Sequence, residues 1–235
     1  MFLKLFLVLI VSTNVAFADV NIKTLVQNDP KVKRVVGSIT SYVPLTGGLS
    51  GEEVYLLDNK FVLKRFKVYN PATISIQQKA AKQGIAPKIL YANSKQRFVI
   101  MEFVVGSSLP RDHQTIEKLV QFVKTLHQIK PTKNMPDKDP FNYLASIVAS
   151  LKRDNFSEEL LNKFTAVLNL ERNHNSDMVV SHNDLNPNNI LFIKGKVNTV
   201  DWDSAGLADP YYDLGTLALW YMNIPEVQSK LLEGY

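Results

Sequence analysis

Residues 38–103 hold short, largely apolar runs bounded by turn residues, and three- and four-residue spacing takes over after Gly106. The short runs predict strands. Ser38 to Leu45 has strand composition and runs into Thr46-Gly47-Gly48. Glu53 to Leu57 and Phe61 to Phe66 flank Asp58-Asn59, a pair suited to a tight hairpin turn. A short helix should follow: Asn70 can cap it, Pro71 suits the first helical position, and Gly84 ends it. Lys88 to Tyr91 and Phe98 to Phe103 read as two more strands. The expectation is about five antiparallel strands with one inserted helix.

Beyond Gly106, residues 114–130 place Ile116, Leu119, Val120, Val123, Leu126 and His127 on one helical face. Further helices are expected near 140–152 and 157–172. Three short strand-like pieces follow: Met178 to Ser181, Ile190 to Ile193, and Val197 to Val200, with Gly195 turning the last pair. A closing helix should begin near Tyr211. Strands first and helices afterwards indicate an α+β protein.

Composition narrows this little. The chain has 235 residues, 46% apolar and 21% charged, ordinary for a globular protein. Its net charge is +5, but Lys and Arg are scattered, so a solvated basic surface is expected and no nucleic-acid partner. There is no cysteine, which excludes disulfides, Cys-ligated zinc and a thiol nucleophile. Residues 1–18 place Lys4 before an apolar run from Leu5 to Val11, then Ala16-Phe17-Ala18, like a secretory signal peptide too short to span a membrane. The other reading of this stretch is a misplaced start or an apolar element packed on the domain.

The chemistry concentrates late in the chain. Ser181-His182-Asn183-Asp184-Leu185-Asn186-Pro187-Asn188-Asn189 contains His-x-Asp followed by an Asn five positions on, and Val200-Asp201-Trp202-Asp203 comes shortly after. Phosphoryl transfer needs a carboxylate to orient the attacking hydroxyl. It also needs an amide oxygen and a second carboxylate to hold metal ions against the phosphates. A loop bearing Asp184 and Asn189, anchored by the apolar strand that follows and returning through a hairpin to Asp201, can supply all three.

These segments resemble the aminoglycoside phosphotransferase and choline kinase superfamily, relatives of protein kinases. Asp201-Trp202-Asp203-Ser204-Ala205-Gly206-Leu207-Ala208-Asp209-Pro210-Tyr211-Tyr212-Asp213-Leu214 is similar to the family's metal-binding stretch. The resemblance covers residues 36–222. It implies a protein kinase-like two-lobed fold, with residues 19–103 as the nucleotide-binding lobe and 104–235 as the catalytic and acceptor-binding lobe. It implies ATP and Mg²⁺ as cofactors. Asp184 would be the catalytic base; Asn189 and Asp201 would hold magnesium; Asp203 would hold metal or orient its loop. His182 would be structural, and Asp209 and Asp213 would serve as loop and helix caps. Lys64, between Val62 and Phe66 on one strand face, would reach the ATP phosphates. Gly47, Gly48 and Ser50 occupy the phosphate-covering turn. Backbone groups of Glu102 and Phe103, in the connection between lobes, would meet the adenine edge.

Two departures from the family pattern stand out. No Asp or Glu lies between Lys64 and Met101, leaving Gln77 and Gln78 where a kinase carries a glutamate partner for its lysine. The chain also stops 22 residues after Asp213, short of further helices expected to wall an acceptor site. The His-Asn-Asp and Asp-Trp-Asp forms lean towards bacterial choline kinase-like members, with choline or ethanolamine as the favoured acceptor. Aminoglycoside, thiamine and sugar acceptors are the alternatives, and an inactive pseudokinase or nucleotide-binding module is the reading from another class. Trp202, Tyr211, Tyr212, Trp220 and Tyr221 would form either a cation–π cage or plain core. A leader suggests export, whereas ATP use suggests the cytoplasm.

Overall fold

Asp58 and Asn59 both take left-handed backbone angles, φ 45° and 53°, which matches the twist of the strands they join. They connect β2 (Glu53–Leu57) to β3 (Phe61–Arg65), with Lys60 N–H donating to Leu57 O at 2.9 Å across the turn. The computed structural model describes residues 22–45, 51–110, 112–151, 157–169 and 178–235. The expected leader at 1–18 and the turn bearing Gly47, Gly48 and Ser50 lie outside the described residues.

The chain divides into two compact units, residues up to Leu109 together with Leu191–Val200, and Pro110–Ile190 together with Asp201–Tyr235. The first holds a five-stranded antiparallel sheet in the order β1 (Tyr42–Pro44), β2, β3, β5 (Phe98–Glu102), β4 (Ile89–Asn93). The expected first strand shrinks to three residues. The N–H groups of Thr40 and Ser41 instead donate to the Asp58 carboxylate, at 3.1 and 2.7 Å, so they are not available to a ladder.

One sheet face carries Leu57, Leu63, Phe98 and Ile100, buried against Ile22, Val26 and Val32 of two short helices, α1 (Ile22–Gln27) and α2 (Pro30–Val36). The other face carries Phe66 and Val99, buried with Ile74 of α3 (Pro71–Lys82). Asn70 caps α3 as expected, accepting from Ala72 N–H at 2.9 Å. The hairpin of β7 (Ile190–Ile193) and β8 (Lys196–Thr199) falls largely within this unit. Phe192 and Ser107 exchange both backbone bonds, and Thr199 N–H donates to Ile85 O at 2.9 Å.

The second unit is mainly helical. Helix α4 (His113–His127) buries Ile116, Leu119, Val123 and Leu126, the stripe its spacing predicts. It packs against α7 (Pro210–Trp220), α8 (Val227–Gly234) and β6 (Val179–Ser181). Helices α5 (Pro140–Leu151) and α6 (Glu158–Leu168) pack on each other. Strand β6 pairs antiparallel with β9 (Gly206–Ala208), setting Ser181 opposite Gly206. Among the described residues, no helix is long and apolar enough to cross a membrane.

Candidate active site

The loop after β6 is built around one carboxylate. Asn186 Nδ2–H donates to Asp184 Oδ1 at 2.8 Å, and Asn189 Nδ2–H donates to Oδ2 at 2.8 Å. Asn189 Nδ2–H also donates to the Asp184 carbonyl at 3.0 Å. Two amides thus fix the direction of the carboxylate and still leave each oxygen a lone pair to accept a further hydrogen. Leu185 and Ile190, both buried, anchor the loop into the core.

Asp213 holds the base of this loop. It lies in the first turn of α7 with no solvent exposure, and it accepts His182 N–H at 2.9 Å and Asn183 N–H at 3.0 Å. Its Oδ2 also lies 3.3 Å from His127 Nε2, and Nδ1 of that ring lies 2.8 Å from the Tyr235 hydroxyl. The two caps expected divide between the residues: Asp213 caps the loop, and Asp209 caps α7, accepting from Tyr211 N–H at 2.9 Å. A carboxylate four residues further along cannot reach the free N–H groups of the first turn from inside the core, so it serves the neighbouring loop. His127 likewise does more than fill space. Burial first, then the neighbouring Tyr211, Asp213 and Asp209, push the Tyr235 phenol up from its ordinary pKa.

His182 is fully buried, and its ring sits 4.7 Å from the ring of Trp202, which is itself buried. That is a structural placement, as expected of it. Trp202 opens a 3-10 turn (Trp202–Ser204) that follows Asp201, whose φ of 62° is left-handed. Asn183 Nδ2–H donates to Ser204 O at 3.1 Å and so joins the two loops.

These residues fit a divalent cation in a limited sense. Asn189 gives its N–H groups to Asp184, which leaves its Oδ1 as the hard oxygen a magnesium ion prefers. Among the described residues, no cluster of three or more His, Asp or Glu side chains converges as a metal site. A magnesium site here would therefore mix the Asn189 amide with carboxylates such as Asp201, keep water ligands, and rely on the nucleotide for the rest.

The residues expected to meet nucleotide, Lys64, Glu102 and Phe103, lie in the other unit. Lys64 is 8% exposed on β3, directly opposite Val99, with Nζ 5.5 Å from the Phe66 ring centroid. Gln77 turns its Nε2–H to Pro87 O at 3.2 Å. Glu102 pairs with Lys88 at 3.8 Å, a half-exposed contact. Its N–H donates to Lys88 O at 3.0 Å, and Phe103 N–H donates to Lys60 O at 2.9 Å. Both donors are used by the surrounding backbone, so a base edge could meet only carbonyls at these two residues. The aromatic set divides: Trp202 and Tyr221 are buried, whereas Tyr211, Tyr212 and Trp220 are exposed.

A lobe with an antiparallel sheet, a helical lobe and an Asp–Asn loop pinned from below define a kinase-like phosphotransferase class. Residues 41–235 match the profile of the Phosphotransferase enzyme family, APH, and the chain belongs to that family. It is similar to a LicA homologue from Mycoplasma capricolum, 26% identical over 167 residues, which covers 69% of this chain and 66% of that protein. The chain thus spans just under two thirds of that relative's length. Among solved structures, a choline/ethanolamine kinase family protein from Mesorhizobium loti superposes with a TM-score of 0.70 at 17% identity, covering 91% of this chain and 74% of the other. A macrolide 2'-phosphotransferase type I gives a TM-score of 0.68 at 18% identity, covering 95% and 83%. The choline kinase LicA from Streptococcus pneumoniae gives 0.63 at 18% identity, covering 91% and 80%. These likenesses confirm the kinase-like α+β fold.

Proposed function

We propose that the protein transfers the γ-phosphate of ATP to a hydroxyl of a small molecule, with choline or ethanolamine-like alcohols as the favoured acceptors. One observation carries the reading: the Asp184 carboxylate is oriented by the amides of Asn186 and Asn189 on a loop whose backbone is pinned by buried Asp213. Phosphoryl transfer asks the protein mainly for positioning and charge. Asp184 accepts a hydrogen bond from the acceptor hydroxyl on a free lone pair, aims its oxygen, and takes its proton as the bond to phosphorus forms. Asn189, Asp201 and Asp203 would hold magnesium, which would supply positive charge against the phosphates. Lys64 supplies a nearly buried ammonium for the phosphates, and the turn with Gly47, Gly48 and Ser50 covers them. The carbonyls of Glu102 and Phe103 accept from the adenine amino group.

The choice of acceptor rests on the LicA relative, on the likeness to choline kinases and on the exposed Tyr211 and Tyr212, whose ring faces suit a quaternary ammonium. The macrolide enzyme of the same fold keeps aminoglycoside, macrolide, thiamine and sugar acceptors as the second reading. The test is ADP release from MgATP with choline, ethanolamine, thiamine, a hexose, kanamycin and erythromycin, using Asp184→Asn as blank. Acceptor-dependent release that is lost in the variant supports transfer and identifies the acceptor class. Nucleotide binding without release for any acceptor would favour a pseudokinase, and full turnover in the variant would remove Asp184 from the reaction.

A further inference from the structure

Asn183 takes a left-handed backbone conformation, which among side-chain-bearing residues asparagine tolerates best. Its φ is 63°, in the left-handed region that glycine adopts freely. Two contacts and a chain neighbour accompany that conformation. Its N–H donates to Asp213 Oδ1 at 3.0 Å, its Nδ2–H donates to Ser204 O at 3.1 Å, and its neighbour Asp184 is the candidate base. Ser204 ends the 3-10 turn that begins beside Asp201, and Ala205 N–H donates back to Trp202 O at 3.0 Å to close it. The β6–β9 ladder stops at Ser181 and Gly206. Past that point the Asn183 side chain reaches Ser204, the residue that the antiparallel register sets opposite it, while the His182 ring packs out of register on Trp202.

We infer that Asn183 is a positioning residue that sets the Asp201–Ser204 loop against the Asp184–Asn189 loop, so that the oxygens offered to a divalent cation are held in register. This rests on the proposed phosphotransferase reading only in naming the cation. A glycine at 183 would meet the backbone requirement more cheaply, keep the N–H bond to Asp213, and lose only the tether. What asparagine adds over glycine at this backbone position is the side-chain bond to Ser204. The Asn183 N–H bond fixes the start of one loop, and the Nδ2–H bond fixes the end of the other. A cation bridging the two loops would sense the loss of either.

The experiment compares wild type, Asn183→Gly and Asn183→Asp. Mn²⁺ binding to the ADP-loaded protein is followed by electron paramagnetic resonance, and urea unfolding serves as the fold control. Asn183→Gly relieves the left-handed strain and should unfold no earlier than wild type, yet bind Mn²⁺ about tenfold more weakly, the low end of what outer-sphere partners cost. Asn183→Asp places an oxygen against the Ser204 carbonyl and should weaken Mn²⁺ at least as much. In turnover, the Mg²⁺ concentration for half-maximal rate should rise while the KM for acceptor stays put. Equal Mn²⁺ affinity in wild type and Asn183→Gly, or no Mn²⁺ binding by wild type, overturns the inference. If Mn²⁺ binding weakens as expected but no acceptor ever releases ADP, the tether stands and the transfer reading falls.

Discussion

Replacing Asp213 by alanine removes the acceptor for His182 N–H, Asn183 N–H and the His127 ring at once. Hydrogen bonds to a charged group contribute about 1.5–3 kcal/mol each, and a buried donor left without one bears its desolvation cost. His182 has no exposure, so water cannot replace its bond, whereas Asn183 is partly exposed and recovers some of the loss. A loss of about 4 kcal/mol is expected, a large share of the roughly 5–15 kcal/mol that holds a domain together. Asp213→Asn retains one oxygen but turns an amino group towards one of the former donors, and about 2 kcal/mol is expected. The only two tryptophans, Trp202 and Trp220, lie in the same unit as Asp213, so their fluorescence in urea reports on the affected unit. With a slope of about 2 kcal/mol/M, the alanine variant should shift the midpoint down by about 2 M. A shift below about 0.5 M would mean that the loop does not depend on Asp213.

Lys64→Ala should lower affinity for MgATP by roughly ten- to a hundredfold, the loss of one charge-assisted bond, with little change in melting temperature; calorimetric titration with a non-hydrolysable ATP analogue checks it. Backbone hydrogen bonding from Ser41, with Thr40 assisting, holds Asp58 down at about 2 against an ordinary 3.8. Because its folded pKa is depressed, its contribution is full above pH ~4 and is lost as pH falls towards ~2. Asp58→Asn should abolish that part of the acid dependence, read as protection of the Thr40 and Ser41 amides from hydrogen exchange. Tyr235→Phe removes the hydroxyl from His127 and should cost about 1 kcal/mol in urea unfolding, with no loss if that bond is not made in solution. A Cβ at Gly206 would lie 2.6 Å from Pro136 O, so Gly206→Ala should destabilise the β6–β9 pairing by about 1–3 kcal/mol, measurable as a lower melting temperature.

Strand composition between turn residues makes the sheet legible, and periodicity the long helices. Turn chemistry does the same for the Asp58-Asn59 hairpin and the start of α3. The short elements escape periodicity, since α1, α2 and α8 span only six to eight residues. A signal for α2 is nevertheless present. Asp29-Pro30, Asn70-Pro71 and Asp209-Pro210 are the same device, an Asx side chain accepting from the N–H two residues on while proline takes the first helical position. Asp29 also accepts from the Tyr91 hydroxyl at 2.6 Å, a bond across the chain that no local pattern announces. Within the candidate site, residue types and spacing mark Asp184, Asn189 and Asp201. They cannot reveal that Asp213 faces inward to the loop, because its distance along the helix suits a cap equally well. Nor can they reveal that Glu102 and Phe103 spend their N–H groups in the sheet region, since a backbone donor leaves no trace in residue identity.

The hairpin of Leu191–Val200 sorts with the first unit, although it lies in the sequence between the two loops of the second. The backbone therefore passes between units at Leu109–Pro110, at Ile190–Leu191 and at Val200–Asp201, and the last two passages adjoin Asn189 and Asp201. No single cut in the gene separates the units. A fragment expressed from residue 110 onward would carry a stranded hairpin, and one ending at residue 109 would lack it. Shuffling one half against that of a relative would have to carry ten foreign residues into the middle of the other half.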